Sequence, residues 1–370
     1  MTNRLLSLLI LSIFSAACHA EPAVQPQTAI TNDWKTECVG RYQVEVPGEV
    51  EVALTIPEKL FKPNDVVNEY RFNDRVIAAF SGILTEYGGV YVTAQQNIKI
   101  FENLKETISQ QRNHRKQELI EQGNRSEADA IQIYDSGLPN TYVWIAKLGA
   151  GIYMDRNSRI YQQSGWIENQ SGLQYAKSFL NHFHPRALYE IPNQPGVCFP
   201  YGFIADDGKA PRNVAVTMRL IDHPDVEVFF KDSSDYIGKA DDTAEDDLKW
   251  FWTMMYNRYA KTATMDSRGF RNITIDNHKG TGLFVTLTRY DRSTYHGDVA
   301  ISLGAPADGS TDYGYAAIVN GDPKTNTPGQ MIYVIRTASR AIAQGIQPVS
   351  KEQIKDIAEQ MMASIKRHPE

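Results

Sequence analysis

Strand-like and helix-like segments in this chain come in blocks rather than in strict alternation, and one block order occurs twice. The first half offers β-type runs at YQVEV (42–46), VEVALTI (50–56), YRFNDRVIAAF (70–80) and VYVTAQ (90–95). A helix over about 98–122 follows, with Phe101, Leu104 and Ile108 on one face. Two more runs, DAIQIYD (129–135) and TYVWIAKL (141–148), lead to a closing helix whose stripe is Leu173, Ala176, Phe179 and Phe183. The second half offers FIAD, VAVTMRLI and VEVFF as strands. The spacing of Leu248, Phe251, Trp252, Met255 and Tyr259 then predicts an amphipathic helix over about 243–261, with Thr243 and Asp246 at N-cap spacing. NITIDN, GLFVTLTRYD, DVAISL and YGYAAIV read as strands, and a helix from Ser350 closes the half. Its stripe is Ile354, Ile357, Ala358, Met361, Met362 and Ile365, and Gln353 completes a capping box.

Blocks of strands favour α+β over βαβ alternation. We therefore expect two similar domains, each a mostly antiparallel sheet with a long helix and a terminal helix. Length agrees, since 370 residues suit roughly two domains. The proline-spaced stretch 185–197 separates the halves, and Pro185 stops the helix before it. The expected division is 1–20 leader, 21–36 tether, 37–184 first domain, 185–197 linker and 198–370 second domain.

The leader has a positive start, MTNR, an apolar core, LLSLLILSIF, and small residues in SAACHA, which is the grammar of an export signal. Cleavage after Ala20 would release a soluble protein. Cleavage before Cys18 would leave a lipid anchor, although Ser15 stands where a lipobox has leucine. The leader implies the cell envelope, which is oxidising and permits disulfides. Cys38 and Cys198 are the pair left after it. A bridge between them would close a loop of about 160 residues, worth about 4–5 kcal/mol in the chain-entropy model. The net charge of −6 argues against nucleic acid, which needs a basic face.

No residue pattern announces catalysis. There is no G-x-S-x-G, so Ser136 and Ser164 read as turn serines. The H-x-H of His182 and His184 lies at a helix end, where residues two apart diverge, and no zinc-site spacing occurs. His223, His278 and His296 are isolated and read as surface or loop residues. LGAGIYMD lacks a phosphate-loop signature and reads as a glycine turn between strands. No cofactor motif is present. Asp241, Asp242, Glu245, Asp246 and Asp247 gather at a helix start, where they complement the helix dipole and could also dock a protein. Arg112, Arg115 and Lys116 lie on the corresponding helix of the first half. The two runs could face each other across the boundary or face a partner of mixed charge; a solvated face is the plain alternative. Nineteen tyrosines and five tryptophans supply the aromatic anchors that interfaces use. Binding is favoured over catalysis.

The two cysteine segments sharpen this. ECVGRYQVEVPGEVEVA and GVCFPYGFIADDG resemble the opening segments of the N- and C-terminal domains of the immunity proteins cognate to class-four lipase effectors of the type VI secretion system. The resemblance extends to the exported N-terminus, the length and the two-domain order. It implies a periplasmic, non-enzymatic protein whose two α+β domains grip a phospholipase effector like a claw and block its substrate. It carries over no catalytic or cofactor residues. The other readings are an envelope hydrolase or lipid-processing enzyme with a dispersed site, which requires Ser, His and Asp to converge in a cleft, and an envelope module with a deep pocket for a small ligand.

Overall fold

A computed structural model describes residues 33–62, 70–78, 80–165, 170–238, 241–255, 260–289, 311–325 and 327–368. The leader with Cys18, the tether up to residue 32, Tyr259, the DVAISL segment and His296 lie outside these residues.

The first half runs β1 (Trp34–Val39), β2 (Tyr42–Pro47), β3 (Val50–Val52), β4 (Leu54–Thr55), α1 (Pro57–Phe61), β5 (Tyr70–Arg71), β6 (Gly82–Thr85), β7 (Gly88–Gln95) and α2 (Ile98–Glu121). It continues through α3 (Arg125–Ala130), β8 (Gln132–Tyr134), β9 (Thr141–Ile145), β10 (Ala150–Arg156), β11 (Arg159–Gly165), α4 (Gly172–His182) and β12 (Phe183–Pro185). The second half runs β13 (Gly196–Phe199), β14 (Gly202–Ala205), β15 (Arg212–Leu220), β16 (Val226–Ser233), α5 (Ala244–Trp250), β17 (Ala260–Met265), β18 (Arg271–Ile275) and β19 (His278–Arg289). It ends with β20 (Thr311–Val319), β21 (Gly329–Arg336), α6 (Ala338–Ala343), α7 (Lys351–Ser364) and β22 (Lys366–Arg367). The class is α+β with mostly antiparallel pairing, as the block order predicts.

One sheet carries most of these strands, in the order β17-β19-β20-β21-β16-β15-β6-β7-β11-β10-β9-β8. It crosses from one half of the chain to the other where β6 pairs with β15, Ala215 standing opposite Gly82 and Asn213 opposite Leu84. Alternation then sorts the side chains by face. On β15, Val214, Val216 and Met218 point to the large core, and Asn213, Ala215 and Thr217 point the other way. The large core lies under α4 and α7, whose Phe179, Ile354, Ile357 and Met361 are at most 1% exposed. Each such side chain contributes about 1.5–3 kcal/mol relative to an exposed one. Among the described residues, helices cover the opposite face at its two ends. α2 lays Phe101, Leu104 and Ile108 on Tyr153 and Ile160, and α5 with the turn after it lays Leu248, Phe251 and Trp252 on Leu283, Val285 and Ala316.

The two cysteine segments form equivalent hairpins. Val39 stands opposite Tyr42 around the turn Gly40–Arg41, and Phe199 opposite Gly202 around Pro200–Tyr201. A third strand completes each hairpin, and it comes from the other half. β12 follows α4 and pairs with β14, whereas β22 follows α7 and pairs with β2. A disulfide joins Cys38 to Cys198, and Gly40 and Cys198 exchange two backbone hydrogen bonds of 2.8 Å beside it. Arg186 donates to Glu37 and to the carbonyls of Cys38 and Phe199, and Arg41 donates to both carboxylate oxygens of Asp206 at 2.7 Å.

Four expectations change. The helix predicted over 243–261 ends at Trp250 and continues as a π-helical turn, Phe251–Met255, before β17 begins at Ala260. The wider turn keeps adjacent Phe251 and Trp252 both buried, at 4% and 3% exposure. YRFNDRVIAAF forms strand only at Tyr70–Arg71. LGAGIYMD contains the buried strand β10 rather than a turn alone. His223 lies in the loop between β15 and β16 but is buried, at 3% exposure, and burial pushes its imidazole pKa down.

Candidate partner-binding groove

Between its two helical covers the sheet leaves a trough. Its floor is built from β6, β7, β15 and β16: Gly82, Leu84, Gly89, Tyr91, Asn213, Ala215 and Lys231, with Phe80 and Ser81 at the rim. These residues share a face because the pairs Leu84–Gly89, Leu84–Asn213, Gly82–Ala215 and Ala215–Lys231 are direct cross-strand partners. Leu84 is 51% exposed. Ser81 holds the rim, donating from Oγ to Thr217 Oγ1 at 3.0 Å.

At its α5 end the trough deepens into a cavity of about 150 Å³, mainly apolar, between Phe80, Phe229, Ile237, Trp250, Phe251, Ile318 and Met331. Aromatic packing sets its walls. Phe229 stacks on Tyr333 with ring centroids 4.6 Å apart, and Phe80 meets Phe251 at 5.4 Å. Trp250 stays 55% exposed on the outer rim. Two ionisable groups line the cavity, Lys231 and Asp247. Burial pushes the Lys231 ammonium pKa down, with Asp235 opposing. Burial, reinforced by Asp242 and Asp246, pushes the Asp247 carboxyl up to about 6. Among the described residues neither makes an ion pair.

The acids and bases singled out in the sequence flank this trough on the helices that cover the same face. Asp246 caps its own helix, accepting from Thr243 Oγ1 at 2.7 Å and from the Lys249 ammonium at 3.5 Å. Asp241 and Glu245 are exposed, and the Asp242 carbonyl accepts from Asn320. On α2, the Arg112 guanidinium lies 4.0 Å over the Trp144 ring, Arg115 pairs with Glu118 at 3.0 Å, and Lys116 is half-buried. Among the described residues no ion pair joins the two runs; the trough separates them. Sequence reasoning missed the trough's own residues, Phe80, Leu84, Tyr91, Lys231 and Trp250. A signal existed for one of them: the alternation of VEVFFKDS sets Lys231 beside Phe229 on the face away from the core.

Ser, His and acid do meet elsewhere, in a polar depression lined by Glu86, Tyr87, Ser178, His182, Asp206 and Asp207. There Ser178 Oγ bonds to the Tyr87 hydroxyl at 2.8 Å rather than to the imidazole. His182 Nδ1 lies 2.8 Å from the Ser178 carbonyl, one turn back on its own helix. A serine nucleophile needs a direct hydrogen bond to its base, and this cluster does not make one. His184 instead stacks on Phe203. Cys38, Cys198 and His368 also lie close together, but disulfide sulfurs offer no thiolate to a metal.

Residues 190–250 match the family model of the Tle cognate immunity protein 4 C-terminal domain. The match runs from within the linker through the second hairpin, β15, β16 and α5, and so includes Lys231 and the acidic run. No curated protein matches the chain. Among solved structures, the chain is similar to immunity protein TplEi of the type VI secretion system from Pseudomonas aeruginosa, complexed with an "L" peptide, at 14% identity and TM-score 0.54, covering 92% of this chain and 99% of that one. It is similar to the Tle4–Tli4 complex at 14% identity and TM-score 0.54, covering 91% and 98%. The chain thus contains a segment similar to the Tle cognate immunity protein 4 C-terminal domain, and over nine-tenths of its length it shares the fold of these two structures. No helix among the described residues is long and apolar enough to cross a membrane.

Proposed function

We propose that the protein is a periplasmic immunity protein that binds a type VI secreted phospholipase effector, occludes it and so protects the producing cell; it is not itself an enzyme. The match of residues 190–250 to the Tle cognate immunity domain carries this reading. The Tle4–Tli4 complex, one chain of which has a similar fold, supports it. So does a trough with exposed Leu84 and Trp250, since large exposed apolar groups gathered in a concavity are the usual anchors of a protein interface. The division into 37–184 and 198–370 belongs to the same proposal. It rests on the repeated hairpins and on a helix from each half over each face of the sheet, and it gives the effector two arms to lie between. The acidic run Asp241–Asp247 and the basic run Arg112–Lys116 would then meet the effector on either side of the trough.

The test is co-purification. The chain from Glu21 is expressed with the phospholipase effector of the same genome, and phospholipid hydrolysis by the mixture is measured. A stable complex with suppressed hydrolysis is expected. An effector that stays active and unbound, or hydrolysis by the chain alone, overturns the proposal.

A further inference from the structure

Among the described residues the trough holds a cation that makes no ion pair, with Asp235 as the nearby carboxylate that acts on it. Lys231 sits where the apolar cavity opens into the wider, more polar part of the floor, and it lines both. Lys231 is half-buried, and Asp247, which lines the same cavity, makes no ion pair with its ammonium. Burying an unpaired charge is unfavourable, and a partner that brings the opposite charge recovers that cost. Beside the ammonium, about 150 Å³ of aromatic-walled space stands open. Space of this size takes one benzene-sized group.

We propose, resting on the immunity reading, that the trough seats a stretch of the effector's surface in which a large apolar side chain stands beside an Asp or Glu. The apolar side chain fills the cavity between Phe80, Phe229 and Trp250, and the carboxylate pairs with Lys231. Association then depends on one buried ion pair and one apolar anchor, and the anchor cannot enter unless the acid is correctly placed.

Gly82 gives a test that spares the fold. It stands two strands from Lys231 in one row, Gly82–Ala215–Lys231, and a Cβ added to it meets nothing within 4 Å. Gly82→Glu therefore supplies an internal carboxylate that competes for Lys231 and fills the floor. Binding to a catalytically inactive phospholipase effector of the same genome is measured by calorimetry for the wild type, Gly82→Glu, Lys231→Met and Lys231→Glu, with melting temperatures recorded alongside. Losses on the order of 100-fold for Gly82→Glu and Lys231→Glu, and on the order of tenfold for Lys231→Met, are expected, with Gly82→Glu melting like the wild type and Lys231→Met no less stable than it. Variants that bind like the wild type overturn the inference and leave the immunity reading standing. A wild type that does not bind the effector overturns both. A wild-type dimer that Gly82→Glu converts to monomer assigns the trough to a second copy of the chain and also overturns the inference.

Discussion

Asp247 shows how one side chain can work against its own fold. Its carboxyl is held at about 6, well above the ordinary 3.8, because it is buried beside Asp242 and Asp246. The folded state thus favours the protonated form. The group's contribution to stability is complete below about pH 4 and is lost as the pH rises through 6. Melting curves from pH 4 to 8 should show wild type losing stability relative to Asp247→Asn over that interval; parallel curves would refute the assignment. Asp232 behaves in the opposite way. It is fully buried, accepts from the Arg41 backbone N–H at 2.8 Å and binds the Arg212 guanidinium through Nε and Nη2. Asp232→Ala leaves Arg212 buried without a counter-ion, so denaturant unfolding should show a loss of about 3–5 kcal/mol. Gly40 is tied to the same carboxylate. At φ +60 it takes a conformation that favours glycine, and any Cβ there would lie 2.2 Å from Asp232 Oδ2.

Among the elements, α7 is the simplest to read. Ser350 accepts from the Gln353 N–H, and Gln353 Oε1 accepts from the Ser350 N–H, while Ile354, Ile357 and Met361 are buried. Ser350→Ala should cost about 1 kcal/mol and Ile357→Ala about 2–5 kcal/mol, both measured by urea unfolding. Equal losses would mean that the cap, not the core face, holds this helix. Helix α7 was legible in the sequence because both signals are local: a cap whose partners, Ser350 and Gln353, stand three positions apart and a stripe of period 3.6. Helix α2 was legible for the same reason, and the observed Ile98–Glu121 lies within one residue of the predicted span at each end. β21 was not legible. All eight of its residues are buried, so GQMIYVIR shows no alternation. Nor was the end of α5, because the apolar spacing continues through the π turn and a change of hydrogen-bonding pattern leaves no trace in hydrophobicity. The trough failed for a different reason: its floor joins β6 to β15, about 130 positions apart, and cross-strand pairing leaves no mark in either run alone. The acids and bases were visible as charge runs, yet Asp246 and Arg115 prove to be engaged within their own helices.

In the molecule as a whole, the Cys38–Cys198 bridge spans 160 positions and fastens the first strands of the two halves. Replacing both cysteines by serine should lower stability by about 2–5 kcal/mol, measured by thermal and urea unfolding against the oxidised wild type. An unchanged midpoint would mean that the flanking Glu37–Arg186 and Arg41–Asp206 pairs suffice. The exchanged strands have a wider consequence. β22 lies at the far end of the chain, yet Lys366 and Arg367 stand opposite Gln43 and Tyr42. The sheet that Trp34–Val39 begins is finished only by residues about 320 positions further on. A ribosome or an export channel releases the chain from its N-terminus, so this hairpin waits for about 320 further residues to emerge. A product that stops before Lys366 lacks the strand that completes the first hairpin.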